Sequence, residues 1–586
     1  MNIAERREAG APSIAEDWLV RFASALAGND LSGAAALFLP DGMWRDVLAF
    51  TWTIRTYYGP AEIEAMLRER LAPTRPSQFD IPSNRTPPRW VSRAGTDCIE
   101  AIIEFDTAFG RGNAVLRLVP DPQQPSRFLA WSLNTNLQEL RGHEEAYKRA
   151  EEPEDTRDFG GKNWLDRRRE EQAYADRDPV VLVIGAGQAG LAIGARLRQV
   201  GIDTLIVDRH PRVGDNWRTR YHSLTLHNER HVNHLPYMPF PPTWPIYIPK
   251  DRLANWFAAY ADAMELNIWS GTELVGGGYD EARQEWTVRL RRADGSERTV
   301  RPHHLVFGTG VSSIPVMPKL PGLDSFKGPV VHSGHFAEPE KWNGKNVLVL
   351  GTGTSAHDVA QELYAHGAHV TMIQRSKTYV VSLNEAQSVY AIYNEGIPFE
   401  DCDLLATSFP YPVLRTSYQM STAKSREVDK PLLDALAARG FRLHYGEDET
   451  GFQMMYLRRG GGYYFNVGCS ELIAAGKIGL LQFDDIDRFV AQGARLKDGR
   501  IVPADLIVLA TGYKNQQDAV RLYLGDAIAD RIGPVWGFDE GGELRNMWRA
   551  TAQPGLWFIA GSLAQCRIFS RYLAIQIKAL EEDLLA

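Results

Sequence analysis

The sequence predicts an α/β protein with a separate α+β module in front of it. Three observations predict this. An uninterrupted β-branched run, a glycine turn, a helix and a second strand follow one another at residues 180–208. The same unit recurs at residues 345–374. Residues 1–147 contain no such unit and read as helices followed by strands. A chain of 586 residues has room for about three to four domains of roughly 100–200 residues.

Within the first module, residues 15–27 place Trp18, Leu19, Phe22 and Leu26 on one helical stripe. Gly59 and Pro60 open a second helix, AEIEAMLRERL, with proline in its first turn. The runs IEAIIEFDTAF, NAVLRLV and RFLAWSLNTN then read as strands of a curved antiparallel sheet. Residues 148–178 are dense in charge and poor in aliphatics, a connector with helical character near Trp164–Tyr174.

The first repeated unit runs VVLVI into Gly185, Ala186, Gly187, Gln188, Ala189 and Gly190, then a helix, then DTLIVD ending at Asp208. This is the strand–turn–helix–strand context that a dinucleotide fingerprint requires. Gly185 permits the turn, Gly187 lets the backbone approach a pyrophosphate, and Gly190 lets helix and strand pack closely. The helix N-terminus offers free N–H groups to phosphate. The second unit runs NVLVL into Gly351, Thr352, Gly353, Thr354, Ser355 and Ala356, a tolerated variant of the fingerprint.

Asp208 and Gln374 stand at the same distance, 23 positions, from Gly185 and Gly351. A carboxylate accepts hydrogen bonds from a ribose diol, but it repels a 2′-phosphate that an arginine would pair with. The first site therefore suits FAD, and the second, with Arg375, Ser376 and Lys377 after Gln374, suits NADPH (NADP). Further turns after strands, at Thr309 and at Thr511, Gly512 and Tyr513, mark passages between the two nucleotide units. The fold class expected is thus two Rossmann-like dinucleotide-binding domains (FAD and NADPH) after an α+β cone-like domain. The expected boundaries are 1–147, a charged linker at 148–178, FAD-binding residues 179–325, NADPH-binding residues 326–500, and a second FAD-binding part at 501–586.

Composition excludes other classes. Apolar residues make up 44% and charged residues 24%, an ordinary globular balance. A net charge of −8 disfavours nucleic acid as a partner. No apolar run reaches the ~20 residues that span a bilayer, and MNIAERREAGAPS has no apolar signal core, so a cytoplasmic location is expected. Cys98, Cys402, Cys469 and Cys566 are too scattered for a metal site or a redox pair.

The chain resembles the class B flavin monooxygenases. Their motif F-x-G-x-x-x-H-x-x-x-[YF] is matched by Phe326, Gly328, His332 and Phe336, between the two fingerprints. The likeness covers residues 179–586 and is nearest the indole-pyruvate group through YHSLTLH and HLPYMPFP. The stretch LFLPDGMWRDVLAFTWTIRTYYGPAEI is similar to the SnoaL-like (nuclear-transport-factor-like) cone. The resemblance implies a monooxygenase that forms a peroxyflavin and inserts one atom of O2 into a ketone, sulfide, amine or 2-oxo acid. It also implies that Arg209, Gly214, Asn216 and Trp217 attend the first cofactor. In the animal enzymes a Y-x-x-L-x-x-N pattern ends in asparagine; here Tyr221 and Leu224 lead to His227, with Asn228 next. His227 and Asn228 are the catalytic candidates beside the flavin. Residues 383–465, rich in Tyr, Phe and Gly, are expected to form a substrate tunnel or lid. For the N-terminal module, docking, lid duty or a homodimer contact is expected ahead of independent catalysis by His143 or Asp46. The alternatives are a non-catalytic flavoprotein or scaffold, an NADPH oxidase, and a disulfide-reductase-type flavoenzyme.

Overall fold

The computed structural model describes residues 3–148 and 157–585, with side chains from residue 10 onward. Two five-stranded parallel sheets and one seven-stranded mixed sheet organise it. In the first parallel sheet the order is Asn267–Ser270, Thr204–Asp208, Val181–Ile184, His304–Phe307 and Leu556–Phe558. Val181–Ile184 is buried along its whole length, as a central strand covered by helices on both faces must be. The second sheet repeats the plan with Gly479–Gln482, His369–Gln374, Asn346–Leu350, Leu506–Leu509 and Val330–His332. Each unit also carries a three-stranded antiparallel meander, at residues 272–300 and 486–503, just before its fourth strand. The mixed α/β architecture read from the sequence is the one observed.

One boundary is corrected. Leu506–Leu509 was expected in the second FAD part, residues 501–586. It pairs instead with Asn346–Leu350 and Val330–His332 in the second sheet. Only the chain after it returns to the first sheet, where Leu556–Phe558 pairs beside His304–Phe307.

The N-terminal module packs the helices Ile3–Ala27 and Gly59–Thr74 onto the seven-stranded sheet. Trp18 and Phe22 stack at 4.8 Å, and Phe38, Trp44, Phe50, Phe79 and Phe105 continue the ring cluster. The three expected strands are present as Thr96–Asp106, Gly110–Pro120 and Phe128–Leu140. Four more were not anticipated. Phe38–Val47 contains Pro40, Asp41 and Gly42, which read as a turn; a register shift between Phe38 and Met43 absorbs them. That strand runs parallel to Phe128–Leu140, so the sheet is not purely antiparallel.

Of the expected linker 148–178, residues 149–156 lie outside the described residues, and the part from residue 157 onward contains a helix. Trp164–Ala173 is a helix with an Asn163–Asp166 capping box. Its Arg168 is buried against Asn267 and the carbonyls of Glu265 and Leu266. Of the expected tunnel or lid at 383–465, residues 383–462 form a helical insert between the paired strands Tyr379–Ser382 and Tyr463–Asn466.

Candidate functional site

Each fingerprint is built by close approach of backbone. Gly185 has φ of 104°, and a Cβ there would lie 2.9 Å from the Gly308 carbonyl oxygen. A Cβ on Gly190 would sit 1.8 Å from the Gly185 carbonyl oxygen, so no side chain fits. Gly187 caps the helix Gln188–Gln199 and lines the groove, with Asn216 Nδ2 3.0 Å from where its Cβ would stand. Asp208 closes the turn from the far side. Its carboxylate accepts from the Ala186 N–H at 2.7 Å and from the His210 N–H and ring at 2.8 Å. Burial opposes its charge, but these bonds outweigh it and hold the acid below its usual range.

A groove of about 650 Å³ runs along this turn. Gly185, Gly187, Gln188, Ala189, Asp208 and Arg209 line it, and Asn216, Trp217, Thr309 and Tyr513 continue it. The buried Trp217 Nε1 has no hydrogen-bond partner, a donor open to a ligand. Gly214 does not line the groove. Its φ of 90° and the Ala254 carbonyl 2.3 Å from an added Cβ explain that glycine by packing alone. Gly308, Ala560 and Gly561, not among the residues expected from sequence, complete the wall; a G-T-G turn and a Gly-Ser pair before a helix are their only sequence signals.

In the second unit Gly351 has φ of 129°, with the Ala510 carbonyl oxygen 2.5 Å from an added Cβ. Gly353 caps Thr354–Ala365 and has room above it, its nearest neighbour being 3.7 Å away. Thr352 bonds Thr378, and Thr354 bonds the Tyr463 carbonyl, so both hydroxyls serve the turn itself. Ser355, between them and Ala356, is partly exposed. Gln374 is fully buried, and its amide is spent on the Arg442 backbone at 2.9 and 2.8 Å. It holds Arg442 rather than facing a ribose. Arg375, Ser376 and Lys377 are exposed at the strand end.

The motif between the units is a clasp. Phe326 packs with Leu348, Leu350 and Ile507 beneath the second sheet. Phe336 packs with Val347 and Val349 on its other face. Gly328 lies where a Cβ would meet the Asp505 carbonyl oxygen at 2.4 Å. His332 Nδ1 accepts from the Gly334 N–H, which leaves Nε2–H to donate to the Gly512 carbonyl at 3.1 Å. Burial holds this imidazole neutral, below its ordinary value. Thr511 Oγ1 donates to the Val316 carbonyl at 2.6 Å, so it ties the two crossing segments together.

His227 and Asn228 do not line the groove. His227 packs its ring 5.1 Å from Phe465, and its burial lowers it to about 4. The Asn228 side chain stands against the Tyr390 hydroxyl. Both belong to the seam between the core and the helical insert. Behind that seam lies a second cavity of about 660 Å³, walled by Tyr390, Tyr418, Phe452, Tyr456 and Trp548, with Arg45 and Ser92 from the N-terminal module. The groove ends at Ala560 and Gly561, and the chamber begins at Ser562 and Gln565. They adjoin at the N-terminus of the helix Leu563–Glu581.

A family model described as pyridine nucleotide-disulphide oxidoreductase matches residues 182–395. Indole-3-pyruvate monooxygenase YUCCA1 of Oryza sativa subsp. japonica is 29% identical over 357 residues, covering 60% of this chain and 82% of that protein. Probable indole-3-pyruvate monooxygenase YUCCA4 of Arabidopsis thaliana is 28% identical, covering 58% and 76%. The chain resembles flavin-dependent monooxygenases. Its fold is shared with a caprolactone-bound cyclohexanone monooxygenase (TM-score 0.50, 17% identity, 69% of this chain and 88% of that one). It is shared equally with an oxidized steroid monooxygenase bound to NADP (TM-score 0.50, 18% identity, 69% and 85%). Unlike a disulphide oxidoreductase of the kind the family model describes, this chain has four free, buried cysteines and no bonded pair.

Proposed function

We propose that the protein is an FAD- and NADPH-dependent monooxygenase that places one atom of O2 into a small organic substrate. The observation that carries this is the junction at Gly561–Gln565, where a dinucleotide groove and an aromatic chamber of similar size are lined by adjacent residues. The residues fit the cofactors. Added Cβ atoms on Gly185 and Gly190 would run into backbone carbonyls, so the tight turn forms only with glycine there, and Trp217 Nε1 waits for an acceptor. The exposed Arg375 suits a 2′-phosphate in the second unit. When bound, the flavin supplies hydride acceptance and dioxygen activation. The chain's own residues orient and shield. Asp208 fixes the first turn, Tyr513 and His332 hold the crossing between units, and the N-terminus of Leu563–Glu581 turns partial positive charge toward the junction. Asn228 positions the chamber wall through Tyr390, and His227 packs on Phe465, which in turn holds the lining Phe452.

The same reading covers the rest of the chain. Residues 326 to about 510 form the NADPH unit, and residues 179–325 with the C-terminal strand and helix form the FAD unit. The N-terminal module is SnoaL-like, and its role is docking. Its ring-filled interior leaves Asp46 bonded to Thr51, Thr135 and the Phe50 and Thr51 amides, with nothing free for catalysis. Arg45, Arg85, Arg89, Arg93 and Arg117 are bonded to Glu543, Asp401, Glu395 and Ser408 outside the module, so a homodimer through this module would use another face. Free thiols fit the reducing cytoplasm. Among the described residues no helix is long and apolar enough to cross a membrane, and no group of His, Cys, Asp and Glu could hold a metal.

The test is direct. Purified protein is yellow, NADPH bleaches it without air, and readmitted O2 with substrate gives a product heavier by one oxygen. Protein that stays colourless in excess flavin overturns the reading.

A further inference from the structure

Resting on that reading, we infer that the chamber selects neutral, mainly apolar substrates against carboxylates, and that the N-terminal module forms one of its selecting walls.

The first observation is charge. Three cations reach the chamber: Arg45, Arg93 and Lys424. Each already has a carboxylate. Glu543 holds Arg45 through two bonds of 2.7 and 2.8 Å. Glu100 and Glu395 hold Arg93 at 2.6 and 2.5 Å. Glu385 stands 3.8 Å from Lys424. Glu543 also lines the wall itself. The Lys424 side chain is 69% exposed and solvated, so an entering carboxylate would shed its water and meet, in the buried part of the wall, only arginines that carboxylates already hold, an unfavourable exchange.

The second observation is an unused polar pair. Trp548 and Gln453 line the chamber and are only 4% and 6% exposed. Trp548 Nε1 and Gln453 Oε1 are buried without a hydrogen-bond partner. Such groups gain from a ligand that satisfies them. The Trp548 indole N–H suits a carbonyl oxygen, and the Gln453 amide oxygen, an acceptor, suits a ligand N–H or O–H, both on an otherwise apolar body. The volume, about 660 Å³, falls within the roughly 300–1,000 Å³ of small-molecule sites.

The third observation is the wall. Arg45, Ile54, Ser92 and Arg93 come from the N-terminal module, and Tyr390, Tyr418 and Phe452 face them from the helical insert. The Arg45–Glu543 and Arg93–Glu395 pairs that fasten the module also discharge the chamber. Docking and substrate choice thus use the same residues.

The probes are indole-3-acetone and indole-3-pyruvate, which share a ring and a ketone and differ by a methyl group against a carboxylate. With the holoenzyme, the neutral ketone is expected to drive NADPH oxidation and product formation with kcat/KM at least tenfold above the acid. Trp548→Phe and Gln453→Leu are each expected to raise KM for indole-3-acetone severalfold. Ser92→Trp, which fills the chamber from the module side, is expected to lower its kcat/KM at least tenfold. Should that variant fail to keep flavin, Ser92→Cys alkylated with a bulky maleimide after flavin loading makes the same obstruction, because the native thiols are buried. Equal or better turnover of indole-3-pyruvate overturns the selection. Wild-type kcat/KM in the obstructed protein overturns the wall. If NADPH never bleaches the wild-type flavin, the monooxygenase reading itself has failed.

Discussion

Tyr221 donates its hydroxyl to Asp358 at 2.6 Å, across the boundary between the two nucleotide units. Asp358 lies on the helix that follows the second glycine turn. Burial raises it to about 6, against the lowering effect of the Tyr221 bond. The hinge between the units therefore contains an acid whose charge the fold resists.

That sets a pH dependence. A carboxyl raised from 3.8 to about 6 favours the folded state while protonated, and this advantage is lost as pH rises from about 4 through 6. The difference amounts to about 3 kcal/mol. Asp358→Asn keeps an acceptor for Tyr221 and removes the titration. Denaturant melts should show the variant level with wild type near pH 4 and more stable by about 2–3 kcal/mol at pH 7. A constant gap at all pH values refutes the assignment.

The two turns should answer alanine differently. Gly190→Ala pushes a methyl to 1.8 Å from the Gly185 carbonyl oxygen, so flavin content at purification should fall at least tenfold. Gly353→Ala meets nothing closer than 3.7 Å, so fold and flavin should survive. The added methyl instead occupies the space a pyrophosphate needs, and the KM for NADPH should rise tenfold or more.

Arg375 is exposed beside the second turn. Arg375→Ala should lower kcat/KM for NADPH at least tenfold, about 1.4 kcal/mol, and leave NADH within a factor of three. Equal losses for both nucleotides would sink the 2′-phosphate role.

Arg45 and Glu543 form a pair with side chains 8% and 10% exposed, and Thr56 adds a bond of 3.1 Å to the same carboxylate. Removing one partner of such a pair strands a buried charge, at about 3–5 kcal/mol. Arg45→Met should therefore destabilise the protein strongly. Arg45→Met with Glu543→Leu should recover most of the loss. Urea melts of the single and double variants measure both.

The sequence carried the nucleotide units well because their constraints are local. Gly185, Gly190 and Gly351 need no side chain, and Asp208 follows by spacing. What it hid depends on distant chain. Leu506–Leu509 looks like any buried strand, and only pairing assigns it to the second sheet. Gln374 reads as the missing carboxylate, yet its buried amide serves Arg442, 68 residues away. Phe38–Val47 was obscured by a Pro-Asp-Gly that normally turns a chain. The chamber was legible only in part: residues 383–465 were expected to supply a tunnel or lid, but no periodicity links them to the walls from the N-terminal module and the C-terminal segment.

The edge strand Leu556–Phe558 and the helix Leu563–Glu581 have a consequence for biosynthesis. They complete the first sheet and lie against the helix Gln188–Gln199, yet the ribosome makes them only after the whole second sheet. Until then His304–Phe307 is an open edge, a template for wrong pairing. The nascent chain must carry that exposed border through most of translation, so its yield should depend on chaperone supply more than on the final stability of the protein.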